Sequence, residues 1–220
     1  MPHFATPAAI TAVIDIPAGR VQLVAAERTD TVVDIQPADP AKSRDVKAAE
    51  ETTVEYAEGV LRIDSSAKNQ IFGPSGSIEV TVQLPAGSHV RARAASAGFR
   101  AVGRLGDVVF DGAHGEIKLD EAATARLTIS AGDVTVGRLT GSAQISAQKG
   151  DITITEAVRG ELVLTTQAGS ITVVAAPGVS ASLDAATAYG RISNGLKNDG
   201  TSELAVRATT SYGDITARSL

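Results

Sequence analysis

The chain has 220 residues and a formal net charge of −5 at pH 7, and hydrophobic residues make up 43% of it. This balance excludes a chain that is disordered throughout, and a pI of about 5.2 argues against a strongly basic nucleic-acid-binding protein. The absence of cysteine excludes a disulfide scaffold and a thiolate zinc site, and the 3% of aromatic residues implies a core of small and β-branched side chains.

The first seven residues show no feature of a secretory signal. They contain no Lys or Arg and no long apolar run, whereas a signal peptide needs a positive start and about 7–15 apolar residues. No later stretch approaches the roughly 18 consecutive apolar residues of a membrane-spanning helix. We therefore expect a cytoplasmic protein without a membrane span, or an envelope protein only if its export route is not visible in the sequence.

Residues 1–95 are predicted to be rich in β-strands but irregular. Turn signals occur at residues 17–19 and 85–87, both Pro-Ala-Gly. The charged residues 42–51 predict either a short helix or a loop, and residues 65–76 predict a flexible loop. Because the open ends of a stacked fold need covering, we interpret this region as a cap. Its predicted strands are residues 10–16, 20–25, 31–35, 53–56, 60–64 and 77–84.

From about residue 98 onward, a glycine followed by a polar residue and then Ile or Val recurs. From Gly115 these glycines are 17, 18, 19, 21 and 23 residues apart, and weaker versions lie about halfway between, at Gly141 and Gly160. Apolar residues alternate between the glycines, which is typical of strands with one buried face. The strong phrase begins at Gly106, Gly115, Gly132, Gly150, Gly169, Gly190 and Gly213.

The alternation of strong and weak turns favours one architecture over another. A strong turn returns at every second turn, so the repeat is about 18–20 residues and contains two strands. We therefore predict an all-β fold in which residues 96–220 form a parallel β-solenoid, with every coil stacked on the last, capped by residues 1–95 in one continuous body. An antiparallel β-sandwich meander is the alternative. A decorated coil or a terminal cap would explain the longer loop at residues 194–200.

Four short motifs resemble those of a known bacterial family. They are Leu-Gly-Asp-Val at 105–108, Thr-Ser-Tyr-Gly-Asp-Ile at 210–215, Phe-Ala-Thr-Pro at 4–7 and Val-Glu-Tyr at 54–56. Together they resemble the actinobacterial β-strand-repeat family of unknown function that is commonly labelled "putative adhesin". The resemblance covers nearly the whole chain. It implies a β-solenoid-like fold and no established activity, since the label reflects fold analogy.

The residues that follow the strong glycines are predicted to form a column along one edge of the turns. Asp133 and Asp151 would then lie about 4.8 Å apart, which raises the possibility of Ca²⁺ between coils. Calcium needs about 6–8 oxygen ligands, and the denser Gly-Gly-x-Gly-x-Asp phrase is absent. We favour a structural role in which each Asp bonds a backbone amide of its own turn. The column contains Asp107, Glu116, Asp133, Asp151, Ser170, Arg191 and Asp214.

A second predicted column carries hydroxyl groups on the outer face of the strands. Such a ladder could bind a glycan or ice, but Thr also favours solvent-facing strand positions, so we favour the structural interpretation. The column contains Thr135, Thr153, Thr172, Ser193 and Thr216.

The remaining candidate residues give no catalytic or metal site. His3, His89 and His114 are far apart and have no clustered carboxylates, and no nucleophile elbow or phosphate-binding glycine loop is present. Arg91 and Arg93 are predicted to share one strand face. With Arg100 and Arg104 they form a basic stretch, but only Phe99 accompanies it, which argues against single-stranded nucleic acid.

We therefore predict a protein with no enzymatic activity, no catalytic or metal-binding residues and no cofactor. The expected function is a scaffold that binds an unidentified protein or self-associates through its coil ends. The alternative is an adhesin that binds a surface or a carbohydrate.

Overall fold

The computed structural model of the chain describes residues 1–65 and 76–220, so most of the loop predicted at 65–76 lies outside the described residues. The described residues form 17 strands and one helix, and the all-β prediction is confirmed. In chain order the elements are β1 (His3–Ala5), β2 (Thr11–Ala26), β3 (Asp30–Pro37), α1 (Ser43–Glu51), β4 (Thr52–Ala57), β5 (Val60–Ser65), β6 (Ile78–Pro85), β7 (His89–His114), β8 (Ile117–Ala131), β9 (Val134–Leu139), β10 (Ala143–Lys149), β11 (Ile152–Ala157), β12 (Gly160–Ala168), β13 (Ile171–Ala175), β14 (Ala181–Tyr189), β15 (Ile192–Gly195), β16 (Leu204–Tyr212) and β17 (Ile215–Ser219).

The chain divides into two compact units, Met1–Gly115 and Glu116–Leu220. The predicted boundary after residue 95 falls inside β7, a strand of 26 residues. Since β7 pairs with β2 on both sides of that boundary, residues 96–115 belong to the same unit as the residues before them. That the two regions form one continuous body stays a prediction.

The first unit mixes parallel and antiparallel strand pairs. β2 is flanked on one side by β5 and β6 and on the other by β7, and all three lie parallel to it. Antiparallel pairs join β1 to β3, β3 to β6 and β4 to β5. The interpretation of residues 1–95 as an irregular cap missed this parallel stacking. The charged segment at 42–51 forms α1, whose buried Asp45 accepts a hydrogen bond from the backbone N–H of Ser77 at 3.0 Å.

The second unit is built from parallel pairs throughout, so its coils stack as a β-solenoid. The first part of β8 pairs with β9 and the second part with β10. One sheet has the order β8–β10–β12–β16–β14, and the other has the order β8–β9–β11–β13–β17–β15. The structure describes every residue of this unit, and it contains none of the antiparallel pairs of the alternative meander.

The coils of the second unit do not stack in chain order. The coil of β16 and β17 lies between the coil of β12 and β13 and the coil of β14 and β15. We call the β14–β15 coil, residues 181–195, the terminal coil, because it forms one end of this stack. The prediction of simple sequential stacking is wrong at this point.

The core of the second unit consists of identical or similar side chains stacked from coil to coil. Ile152 lies between Val134 and Ile171, and Ile171 lies between Ile152 and Ile215. Each is at most 1% exposed. Burial of one such side chain contributes about 1.5–3 kcal/mol. The core of this unit is therefore built from Val, Ile, Leu and Ala side chains without a buried aromatic ring, in keeping with the low aromatic content.

Candidate functional site

The predicted turn column is a hydrogen-bonded ladder that runs across the coils. Asp133 Oδ1 accepts the backbone N–H of Asp151 at 2.9 Å, and Asp151 Oδ1 accepts that of Ser170 at 2.7 Å. Ser170 Oγ then accepts the N–H of Asp214 at 3.3 Å, and Asp214 Oδ1 accepts that of Arg191 at 2.8 Å. Each side chain therefore bonds an amide of the next coil. The predicted bond within its own turn is wrong.

The strong glycines allow the backbones of neighbouring coils to approach closely enough for this ladder. A Cβ atom at Gly150 would lie 2.1 Å from the carbonyl oxygen of Gly132, and one at Gly169 would lie 2.0 Å from that of Gly150. Gly150 also has φ of 138°, a conformation that other residues rarely adopt. The strong glycines therefore recur once per coil because the backbones of neighbouring coils touch at these positions.

The two other members of the predicted column have different surroundings. Asp107 lies in the first unit, where its backbone N–H donates to Nδ1 of His89 at 3.0 Å. His89 thus takes the position that an Asp takes in the second unit. Glu116 forms an exposed ion pair with Lys118 at 2.7 Å. Among the described residues, no group of three or more His, Asp or Glu side chains could hold a metal ion.

The outer hydroxyl column is aligned as predicted. Thr135, Thr153, Thr172 and Thr216 occupy matching positions on successive coils, and Ser193 completes the row on the terminal coil. The four threonines are half-buried and Ser193 is exposed.

A second threonine ladder, on the inner side of the other sheet, was missed by the sequence analysis. Thr166 Oγ1 donates to the carbonyl oxygen of Gly150 at 3.0 Å, Thr210 Oγ1 to that of Gly169 at 2.9 Å, and Thr187 Oγ1 to that of Gly213 at 3.0 Å. The signal for it was present, because Thr166 continues the inward alternation of Leu162 and Leu164. This inner threonine ladder and the ladder of the turn column both join neighbouring coils through hydrogen bonds.

One charged cluster lies at the surface of the first unit. Asp30 receives hydrogen bonds from Arg28 Nε at 2.8 Å and from His3 Nε2 at 2.8 Å. These bonds, that of Arg28 first, lower the pKa of Asp30 to about 2. His114 is exposed and takes no part in this cluster. The three histidines are therefore not brought together.

Arg91 and Arg93 share an exposed face, as predicted. They pair in register with Val13 and Asp15 of β2, and neither guanidinium has an ion-pair or hydrogen-bond partner among the residues described. A cavity of about 310 Å³ lies between these four residues and Val109.

The other two arginines of the predicted basic stretch lie elsewhere in the first unit. Arg100 pairs with Gln22 in the second half of β2. Arg104 forms an exposed ion pair with Glu27 at 3.5 Å. The four arginines therefore do not form one continuous basic surface.

The terminal coil carries two of the four exposed large apolar side chains of the second unit, Tyr189 and Ile192. Tyr189 is 68% exposed, and its ring stacks on that of Tyr212 with centroids 5.0 Å apart and planes 4° from parallel. Ile192 is 46% exposed, whereas Ile215, the residue beside it in the stack, is 1% exposed. A cavity of about 250 Å³ lies near this coil, lined by residues 178–180 and 197–199. This surface was not predicted from the sequence, where its only signal is the longer loop at 194–200.

A model of one protein family matches the sequence over residues 9–218. The chain belongs to the Toastrack DUF4097 family. The resemblance drawn from the motifs is thereby confirmed for a β-solenoid-like family, while an actinobacterial source stays a prediction. No curated protein matches the sequence. Within the described residues, no helix is long and apolar enough to cross a membrane.

Solved structures that resemble this chain come from several bacteria. A "putative cell adhesion protein" from Clostridium sporogenes is 10% identical, with 100% of this chain and 98% of that chain covered and a TM-score of 0.41. A "putative adhesin" from Bacteroides fragilis is 12% identical, with 98% and 95% covered and a TM-score of 0.47. A "putative lipid binding protein" from Parabacteroides distasonis is 12% identical, with 98% and 95% covered and a TM-score of 0.43.

Proposed function

We propose that this protein is a non-enzymatic β-solenoid scaffold that acts by binding protein chains. The observation that carries the proposal is the terminal coil, which combines exposed apolar side chains with strand edges that have no second neighbour among the described strands. Natural proteins usually cover or charge an open strand edge, because it otherwise pairs with another chain. The β15 edge, which carries Ile192 and no charged residue, is suited to such pairing.

The ladders between coils support a scaffold role. The Asp, Ser and Thr side chains of the ladders bond the backbone of the neighbouring coil at 2.7–3.3 Å. A coil that is hydrogen-bonded to its neighbour in this way has little conformational freedom to lose when it binds a partner. A rigid surface therefore binds with a smaller entropic cost than a flexible one.

Purification of the tagged chain from its native host tests this function. We expect a stoichiometric protein partner, either another protein or an untagged copy, with the natural chain and with the control Val109→Lys. Val109 is 38% exposed on the first unit. Like Ile192 it is an exposed β-branched apolar residue, but it lies outside the terminal coil. We expect Ile192→Lys to lose the partner. The proposal would be contradicted if no protein partner co-purified with the tagged natural chain. It would also be contradicted if the Ile192→Lys variant recovered as much partner as the natural chain.

A second candidate function is carbohydrate or surface binding, and the cavity beside Arg91 and Arg93 favours it. The guanidinium groups could bind an acidic group of a glycan, Asp15 could accept sugar hydroxyls, and Val13 could contact a sugar face. We expect Arg91→Ala to reduce binding of an acidic polysaccharide about tenfold. Cell fractionation separates the two functions, because an adhesin must reach the envelope.

A further inference from the structure

The end of the second unit presents two strand edges on the same side. β14 pairs with β16 and β15 pairs with β17, and neither has a second neighbouring strand among the described elements. The β14 edge is covered at one point, where the N–H of Ala181 donates to the carbonyl of Lys197 at 2.9 Å and its own carbonyl accepts Nδ2 of Asn198 at 3.1 Å. Beyond Ala181, from Ser182 to Tyr189, none of the strands that the structure describes lies beside this edge.

The side chains at this edge are those that the interior of the stack would otherwise bury. Ile192 continues the row of Ile171 and Ile215 but is 46% exposed. Leu183 continues the row of Leu162 and Val206 but is only half-buried. A further coil on this end would therefore bury both rows and pair both edges at once.

We propose that a second copy of the chain binds this end. The two copies meet terminal coil to terminal coil and are related by a two-fold axis. The inference rests on the proposed function, since it names the protein partner. A single peptide strand would cover one edge and leave the other open. Another terminal coil offers two edges at the same spacing, and a two-fold axis makes each edge pair antiparallel with itself.

The charges of the terminal coil and its following loop fit this arrangement. Arg191 follows the end of β14, while Asp199 lies at its start, where its N–H donates to Ser180 Oγ at 3.1 Å. A two-fold axis that reverses β14 brings the start of one strand to the end of the other, so Arg191 and Asp199 of opposite copies meet twice. With Asp184 and Lys197 the four charges sum to zero, so the two ends meet without net repulsion.

The pairing also predicts a register. An antiparallel pair centred on Ala185 places Leu183 opposite Thr187 of the other copy, and both face the interior. Residues at the centre of such a pair have Cα atoms about 4.5–5.5 Å apart, within the range of a disulfide, roughly 4.4–6.8 Å. Since the chain has no cysteine, Ala185→Cys introduces a single thiol at the two-fold axis.

Sedimentation velocity of the purified full chain from about 1 to about 100 µM tests the inference. We expect a dimer for the natural chain and for Val109→Lys, and a dissociation constant raised about tenfold or more by Ile192→Lys. We expect Arg191→Asp to weaken the dimer and the double variant Arg191→Asp, Asp199→Arg to restore it. Under mild oxidation, Ala185→Cys should form a disulfide-linked dimer, and the control Val109→Cys should not.

Three results would overturn the inference. The natural chain could be monomeric at every concentration, the dimer could survive Ile192→Lys in full, or Ala185→Cys could fail to cross-link. If Ile192→Lys does not fold, the cysteine variants still decide the question. A monomer that retains a different protein partner in the native host would refute the dimer and leave the proposed function standing.

Discussion

The ladder of the turn column predicts that a carboxylate there stabilises the fold through its oxygen atom more than through its charge. Asp151 is the best position for a test, because its Oδ1 accepts the N–H of Ser170 at 2.7 Å and its own N–H donates to Asp133 at 2.9 Å. Asp151→Ala removes the acceptor between coils. Asp151→Asn keeps an oxygen in the same place and removes the charge.

The two variants differ because two effects oppose each other. An intramolecular hydrogen bond contributes about 0.5–1.5 kcal/mol net, so we expect Asp151→Ala to lower the free energy of unfolding by about 1 kcal/mol. Asp133 and Asp151 also repel, by roughly 1 kcal/mol at the spacing of neighbouring strands in water. Asp151→Asn relieves that repulsion and weakens the hydrogen bond, so we expect it to remain within about 0.5 kcal/mol of the natural chain.

Urea unfolding followed by far-UV circular dichroism measures both values, and it suits a chain that has no tryptophan. Asp111→Ala is the control, since this exposed carboxylate has no hydrogen-bond partner among the described residues. An Asp151→Ala variant as stable as the natural chain would refute the argument. So would Asp151→Asn and Asp151→Ala variants of equal instability, because charge would then be the property that matters.

Three further predictions concern stability. Gly150→Ala should prevent folding or cost more than about 3 kcal/mol, while Gly178→Ala, with φ of 80° and nothing within 4 Å of the new Cβ, should cost about 1 kcal/mol in the same urea experiment. Thr166→Val leaves the carbonyl of Gly150 without its hydroxyl donor and should cost about 1 kcal/mol, and a neutral result would show that this ladder contributes nothing. The folded pKa of Asp30, about 2, lies below its unfolded value of about 3.9, so its contribution is present above pH 4 and is lost as pH falls toward 2. Asp30→Asn should therefore make stability fall less steeply across this window, and parallel pH profiles for both chains would contradict the assignment.

The repeat could be predicted from the sequence because a glycine is required wherever two backbones touch. The stacking order could not be predicted, since Gly213-Asp214-Ile215 and Gly190-Arg191-Ile192 have the same pattern and fit any position in the stack. What distinguishes them is the loop between β15 and β16, whose path is not encoded in a local motif. The exposed Ile192 and Tyr189 were missed for the same reason, because their burial depends on which coil comes last.

The ladders were predicted in part. The glycine repeat places Asp133 and Asp151 in one column, but the partner of each oxygen depends on the offset between coils, which a single sequence does not provide. His89 was regarded as an isolated histidine because it has no neighbouring ligand in the sequence. Only the stacking of β7 on itself shows that it accepts the amide of Asp107.

The position of the β16–β17 coil between two others has a consequence for synthesis. Residues 181–195 leave the ribosome before residues 204–219, yet they stack on them. Until those later residues emerge, the only partner available to the terminal coil is the β12–β13 coil, whose strand edges and glycine turns offer the same bonds. The terminal coil must therefore stay unstacked until the β16–β17 coil has emerged. Otherwise a premature contact between the terminal coil and the β12–β13 coil must break before the β16–β17 coil can insert between them. Such non-local ordering slows folding, so during translation the second unit is expected to populate a misregistered stack that the finished chain does not contain.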